Sequence, residues 1–161
     1  MSPTEYRRSG ADTVLLMLPG ALMTPQHMVQ GGLFAELERC PWALDLIAPN
    51  LHAEGAENRM ALRALQDEWL TPLRAQYRHV WLGGISRGGQ LALSAWAGSA
   101  RIDGLCLLAP YAGGRLTTNA IVRAGGLDCW VAPQAQMHDP DVRLWHALQA
   151  PPRPVPMFMG Y

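Results

Sequence analysis

The chain has 161 residues, of which 49% are hydrophobic and 16% charged, so it is long and apolar enough for one folded domain with a packed core. Its 13 basic and 13 acidic side chains cancel to a formal net charge of zero, which argues against a nucleic-acid groove or an anionic membrane surface as partner. Every basic residue is arginine, so a mechanism built on a lysine nucleophile or Schiff base is excluded.

The cysteines and the N-terminal residues define the expected compartment. Cys40, Cys106 and Cys129 are widely spaced and form no CxxC pair, which argues against a disulfide framework or a zinc site. Residues 1–13 lack the apolar core of a signal peptide, and no apolar run approaches the roughly 20 residues of a membrane span. We therefore expect a cytoplasmic protein without a membrane anchor, a metal or a cofactor.

Short apolar runs alternate with longer amphipathic segments along the chain. Strands are predicted over residues 13–18, 43–49, 79–84, 104–110 and 155–159. Helices are predicted from Thr24 towards Glu38, from Asn58 with a break and restart at Thr71-Pro72, over residues 88–99, and after Asp139. This alternation predicts a single α/β domain over residues 1–161, with a mostly parallel sheet and helices on both faces.

One motif lies where the third predicted strand gives way to a helix. The sequence GISRG matches G-x-S-x-G, with Gly84, Ser86 and Gly88 at the fixed positions. A serine that projects from the end of a sheet needs a very sharp strand-to-helix turn, and side chains at the two glycine positions would collide with neighbouring elements. The pattern therefore predicts Ser86 as a nucleophile. The alternative is a glycine-rich turn that serves packing alone.

An acyl-transfer serine also needs two donors for the oxyanion. One is the backbone amide of Arg87, the residue after the nucleophile. The second is expected from the loop LPGALMTP after the first strand, where the amide of Ala21 is the best candidate and that of Leu22 the next. The alternative for this loop is an ordinary Pro-Gly turn that ends a strand.

The segments VLLMLPGA, LDLIAPNLHAEG, VWLGGISRGGQLAL, GLCLLAPYAGG and VPMFMGY follow one another in an order that resembles the α/β-hydrolase superfamily, in particular small bacterial serine esterases. The resemblance implies hydrolysis of small carboxylic esters or thioesters through an acyl-enzyme on Ser86, with the amides of Ala21 and Arg87 as oxyanion hole. It also implies that residues 111–150 form a small lid.

The catalytic acid and base are not found where the resemblance places them. The acid usually follows the strand that here ends at Tyr161, and the histidine follows one strand later. We therefore expect both beyond Tyr161, in a chain that is C-terminally truncated and a sheet that is incomplete at its C-terminal edge. Within the chain, Asp128 and His138 are the pair in the right order.

The remaining histidines are interpreted as ordinary surface or core residues: His27, His52, His79 and His146. Without an acid and a base, the chain is alternatively a catalytically impaired hydrolase-like fragment that acts as a binding or interaction module. An exposed sheet edge past Val155 would then favour a homodimer.

Overall fold

The computed structural model describes residues 4–7, 9–51, 59–98 and 100–161. The strands are β1 (Glu5–Arg7), β2 (Thr13–Leu18), β3 (Asp45–Ala48), β4 (His79–Ile85), β5 (Gly104–Leu108) and β6 (Met157–Gly160). The α-helices are α1 (Pro25–Gln30), α2 (Leu33–Glu38), α3 (Arg59–Ala64), α4 (Thr71–Gln76), α5 (Arg87–Ala97), α6 (Arg115–Arg123) and α7 (Pro140–Gln149). A π-helical segment, Leu65–Leu70, joins α3 to α4, and short 3-10 turns cover Leu127–Cys129 and Gln134–Gln136.

The six strands form one sheet in the order β1-β3-β2-β4-β5-β6. Strand β1 runs antiparallel to β3, and all the other neighbours are parallel. The predicted fold class, a mostly parallel α/β sheet with helices on both faces, is confirmed.

Strand β2 shows why the sheet needs helices on both faces. Val14, Leu16 and Leu18 point into one hydrophobic layer, while Leu15 and Met17 point into the opposite one. Successive side chains of a strand face opposite sides, so a continuous apolar run requires cover on both. Helices α3, α4, α5 and α7 cover the first layer, and α1 and α2 cover part of the second.

A buried carboxylate ties the N-terminal residues to the start of β3. Asp45 is 2% exposed and accepts hydrogen bonds from the Ser9 amide (2.6 Å), the Ser9 hydroxyl (2.9 Å) and the Tyr77 hydroxyl (2.7 Å). Burial opposes ionisation of Asp45, but these donors outweigh it, so the pKa of the carboxyl lies below its ordinary value. The charged form of Asp45 is therefore the one that the fold stabilises.

The first predicted helix is divided in two. A single helix from Thr24 towards Glu38 is interrupted at Gly31-Gly32, where Gly32 adopts a left-handed φ of 86°. Glycine has no Cβ and enters this conformation without steric penalty, so α1 ends and α2 begins there.

The predicted break at Thr71-Pro72 is wrong. Helical backbone continues through Thr71, whose N–H donates to the Gln66 carbonyl five residues earlier. In an ordinary α-helix the ring of Pro72 would collide with the carbonyl four residues before it. The wider π-helical turn just before Pro72 gives the ring room, so the helix is widened and not broken.

Several elements differ from the prediction at their ends. Strand β1 and helix α6 were not predicted, and β6 begins two residues later than expected. In the described part of the chain β6 pairs only with β5 and lies at the sheet edge, with Phe158 57% exposed. His52 and most of the loop around it lie outside the described residues. None of the described helices has the length and apolar character to cross a membrane.

The last helix of the segment 111–150, α7, packs against α5. Leu144 and Ala147 of α7 belong to the first hydrophobic layer, which also contains the buried residues of α5. Ile121, Trp130 and Val142 belong to a separate small cluster that links α6 to α7. The role of this segment as a lid remains a prediction.

Candidate active site

Ser86 occupies a strained position between β4 and α5. Its backbone has φ 50° and ψ −111°, a combination outside the regions that non-glycine residues ordinarily adopt. The Ser86 amide donates to the Leu108 carbonyl (3.0 Å), and its own carbonyl accepts from the amides of Gln90 (3.1 Å) and Tyr111 (2.9 Å). These bonds hold the turn in place. The Ser86 hydroxyl makes no hydrogen bond within the described residues.

The glycines on either side of Ser86 are required by close backbone contacts. A Cβ atom on Gly84 would lie 2.2 Å from the carbonyl carbon of Gly88. A Cβ atom on Gly88 would lie 2.4 Å from the Leu18 carbonyl oxygen and 2.5 Å from that of Pro19. Distances this short are not tolerated by any side chain, so the spacing G-x-S-x-G follows from packing at this turn.

The same contacts bring the loop after β2 against the turn after β4. Strand β3 lies on one side of β2, and β4 lies on the other side. The order in which strands are added to the sheet therefore reverses at β2, and the switch point lies between β2 and β4. Ligands of open α/β sheets bind in the crevice at such a switch point, beyond the carboxyl ends of the strands. Ser86 therefore lies where this fold class places its binding sites.

The loop after β2 offers a free backbone donor. Gly20 is buried, and a Cβ atom on it would lie 3.3 Å from the Ile85 carbonyl oxygen. Ala21 is exposed, and within the described residues its N–H has no hydrogen-bond partner. Leu22 has a left-handed φ of 60°. Arg87 is the first residue of α5, and the first N–H groups of a helix lack intrahelical acceptors.

The side chain of Arg87 is held in a polar network. Its Nη1 donates to Gln90 Oε1 (3.1 Å), and its guanidinium lies 4.1 Å over the ring of Tyr111. Gln90 is 1% exposed and donates through Nε2 to Asp141 Oδ1 (3.1 Å). The other oxygen of Asp141 accepts from the Gly114 amide (2.6 Å). The network connects α5, the loop after β5 and the start of α7.

Sequence reasoning missed Gln90, Tyr111 and Asp141. No short motif joins residues that are 51 positions apart, as Gln90 and Asp141 are. The available signal was the position of Gln90 among the apolar residues of a helix, because a buried amide needs a partner.

The in-chain candidates for acid and base are not linked to Ser86. Asp128 lies in a 3-10 turn and His138 just before α7, and both are exposed. Within the described residues no hydrogen bond joins Asp128 to His138, or either of them to the Ser86 hydroxyl. Their assignment stays a prediction.

Within the described residues, none of the other histidines hydrogen-bonds to Ser86. His27 is exposed on α1, where its Nδ1 accepts from the Thr24 amide in a capping box. His79 is exposed at the opposite end of β4. His146 lies on α7 with a buried Nδ1 that has no hydrogen-bond partner in the described residues.

A groove of about 450 Å³ lies on the sheet face that α1 and α2 only partly cover, away from Ser86. Its lining includes Trp81, Cys106 and Phe158. Burial raises the pKa of the Cys106 thiol, which keeps it protonated and unsuited to act as a nucleophile. The described residues contain no group of three or more side chains suited to hold a metal ion.

The sheet order, the crossover helices and the sharp turn after β4 define the α/β-hydrolase fold. Solved structures of this fold are similar to the chain at low sequence identity. MenH from S. aureus has 17% identity and a TM-score of 0.53, with 94% of this chain and 58% of the MenH chain covered. A ferulic acid esterase has 15% identity and a TM-score of 0.51, with 94% of this chain and 78% of that chain covered.

TT1662 from Thermus thermophilus is similar over 97% of this chain and 83% of its own, at 16% identity and a TM-score of 0.50. This chain thus spans little more than half of MenH and most of the other two proteins. No protein-family profile matches the sequence. No curated protein sequence matches it either.

Proposed function

We propose that the chain carries the nucleophile and oxyanion hole of a serine hydrolase that acts on carboxylic esters or thioesters. The observation that carries the proposal is the backbone of Ser86, with φ 50° and ψ −111° at a strand-to-helix turn. Strained non-glycine backbone of this kind clusters at functional sites, because packing alone gives no reason to keep it. The esterase among the similar structures supports the same chemistry.

In the proposed reaction, Ser86 Oγ bonds to the acyl carbon while a general base takes its proton. The carbonyl oxygen becomes an oxyanion, which the amides of Ala21 and Arg87 stabilise. The C–O or C–S bond then breaks, and the leaving alcohol or thiol takes up the proton. Water attacks the acyl-enzyme in the same way and releases the acid. Asp128 and His138 are the candidates within the chain for the acid and the base.

A fluorophosphonate probe tests the nucleophile directly, because it reacts with activated serines. We expect one equivalent of label on Ser86, located by peptide mass spectrometry, and none in Ser86→Ala. Ser94→Ala is the matched control, since Ser94 lies on α5 with a buried hydroxyl and should not affect labelling. Absence of label, or label that persists in Ser86→Ala, would refute the proposal.

The second candidate function is a hydrolase-like binding module. It is favoured by one observation: within the described residues no histidine or carboxylate hydrogen-bonds to the Ser86 hydroxyl. A site without its base retains only the part of catalysis that binding and the oxyanion hole supply. An unlabelled Ser86 in a protein that still binds small carbonyl compounds in a saturable manner would support this function.

A further inference from the structure

We propose that Arg87 binds a negatively charged group, so that the substrate of this site is an ester or thioester that carries a carboxylate. The inference rests on the proposed function, because it concerns the substrate of the same serine.

Within the described residues, the guanidinium of Arg87 has no acidic partner. The ion pairs among the described residues join Arg39 to Glu36 and Arg74 to Asp103, and none involves Arg87. A guanidinium offers five N–H donors in a planar fork. One nitrogen of Arg87 donates to Gln90 Oε1, and the other nitrogens have no acceptor in the described residues. The side chain therefore retains donors and charge for an external anion.

An unpaired arginine on a surface is ordinary, but Arg87 is not freely solvated. It is half-buried, lies over the Tyr111 ring and is bonded to Gln90, which is almost wholly buried. Gln90 is fixed in turn by Asp141. A guanidinium that is already held in one geometry loses little conformational entropy when it binds a carboxylate, which favours recognition over simple solvation.

The residues that hold Arg87 also hold the turn of Ser86. The amides of Gln90 and Tyr111 both donate to the Ser86 carbonyl, so the guanidinium is fixed to the same turn as the nucleophile. Asp141, the carboxylate of this network, has its two oxygens engaged by Gln90 and Gly114. It positions the arginine through Gln90 and makes no ion pair with it.

Binding of a small anion tests the inference without turnover. In the Ser86→Ala protein, we expect benzoate to bind about tenfold or more tightly than benzamide, the neutral compound of the same shape, in NMR titrations. Adding Arg87→Met should bring the two dissociation constants together. Adding Arg143→Met, which removes an exposed arginine of α7, should leave their ratio unchanged. A ratio that Arg87→Met does not alter would overturn the inference.

The carboxylate belongs either to the acyl group or to the leaving group, and two pairs of esters distinguish these sources. For the leaving group, the pair is 4-carboxyphenyl acetate and 4-carbamoylphenyl acetate. For the acyl group, it is phenyl glutarate monoester and its terminal amide. We expect kcat/KM to favour the acid in one pair, and Arg87→Met to abolish that preference. No preference in either pair, in a protein that the fluorophosphonate labels, would refute the inference and leave the nucleophile intact.

Discussion

Replacing Ser86 by glycine should give a more stable protein than replacing it by alanine. Both variants lose the hydroxyl, but only alanine keeps a Cβ atom at φ 50° and ψ −111°. Backbone in such a sparsely populated region costs about 1–3 kcal/mol, and hydrogen bonds to both the amide and the carbonyl of Ser86 prevent it from relaxing. Glycine loses about 0.5–1 kcal/mol more conformational entropy on folding. The net advantage of glycine is therefore about 1 kcal/mol.

Urea unfolding of the two variants measures this difference, and for a chain of this size it corresponds to roughly 2–4 °C in Tm. The matched control is Ser94 on α5, in ordinary helical backbone. There alanine should be the more stable replacement by about 1 kcal/mol, because glycine weakens helix interiors. If alanine were equal or better at both positions, the backbone of Ser86 would not be strained and the reasoning would fail.

Three further variants probe the packing of the site and of the sheet. Gly88→Ala should destabilise the fold by about 3 kcal/mol or more, because its Cβ atom would collide with two backbone oxygens, whereas Gly98→Ala at the end of α5 should be nearly neutral in the same urea assay. Asp45→Asn should cost about 2 kcal/mol at pH 7. The pKa of Asp45 lies below its ordinary value of 3.8, so its contribution to the free energy of unfolding is present above pH 3.8 and is lost as pH falls through the folded-state pKa. The free energies of unfolding of the wild-type protein and of Asp45→Asn should therefore converge in acid. Asp141→Asn should destabilise by about 1–2 kcal/mol and shift the amide resonances of α5; unchanged spectra would contradict the bond between Asp141 and Gln90.

Much of the fold could be predicted because its inner strands are buried on both faces. Residues 13–18 and 104–108 are nearly continuous apolar runs. A short run of this kind is typical of an interior parallel strand, because side chains on both faces of such a strand are buried. The turn at Ser86 could be located for a related reason. Gly84 is fixed by a contact with Gly88 four residues later, so that part of the requirement is visible in the local sequence, whereas Gly88 is required by its contact with Leu18 and Pro19 of another loop.

Other features depend on contacts that the local sequence does not contain. Helix α6 carries two threonines and an asparagine, and only Thr117 and Ile121 of its residues are buried, so its periodicity is weak. The π-helical turn before Pro72 depends on backbone geometry that no residue pattern specifies. The bond between Gln90 and Asp141 depends on how α7 packs on α5, which is a tertiary contact.

The hydrogen bonds around Ser86 also determine where the 111–150 segment is able to hinge. The Tyr111 amide is bonded to the Ser86 carbonyl, and the Gly114 amide is bonded to Asp141, which is bonded to Gln90. Residues 111–114 are therefore tied to the Ser86 turn and to α5. Any swing of α6 has to pivot beyond Gly114. Such a motion would leave the contacts of Arg87 with Gln90 and Tyr111 in place, so the guanidinium would keep its geometry.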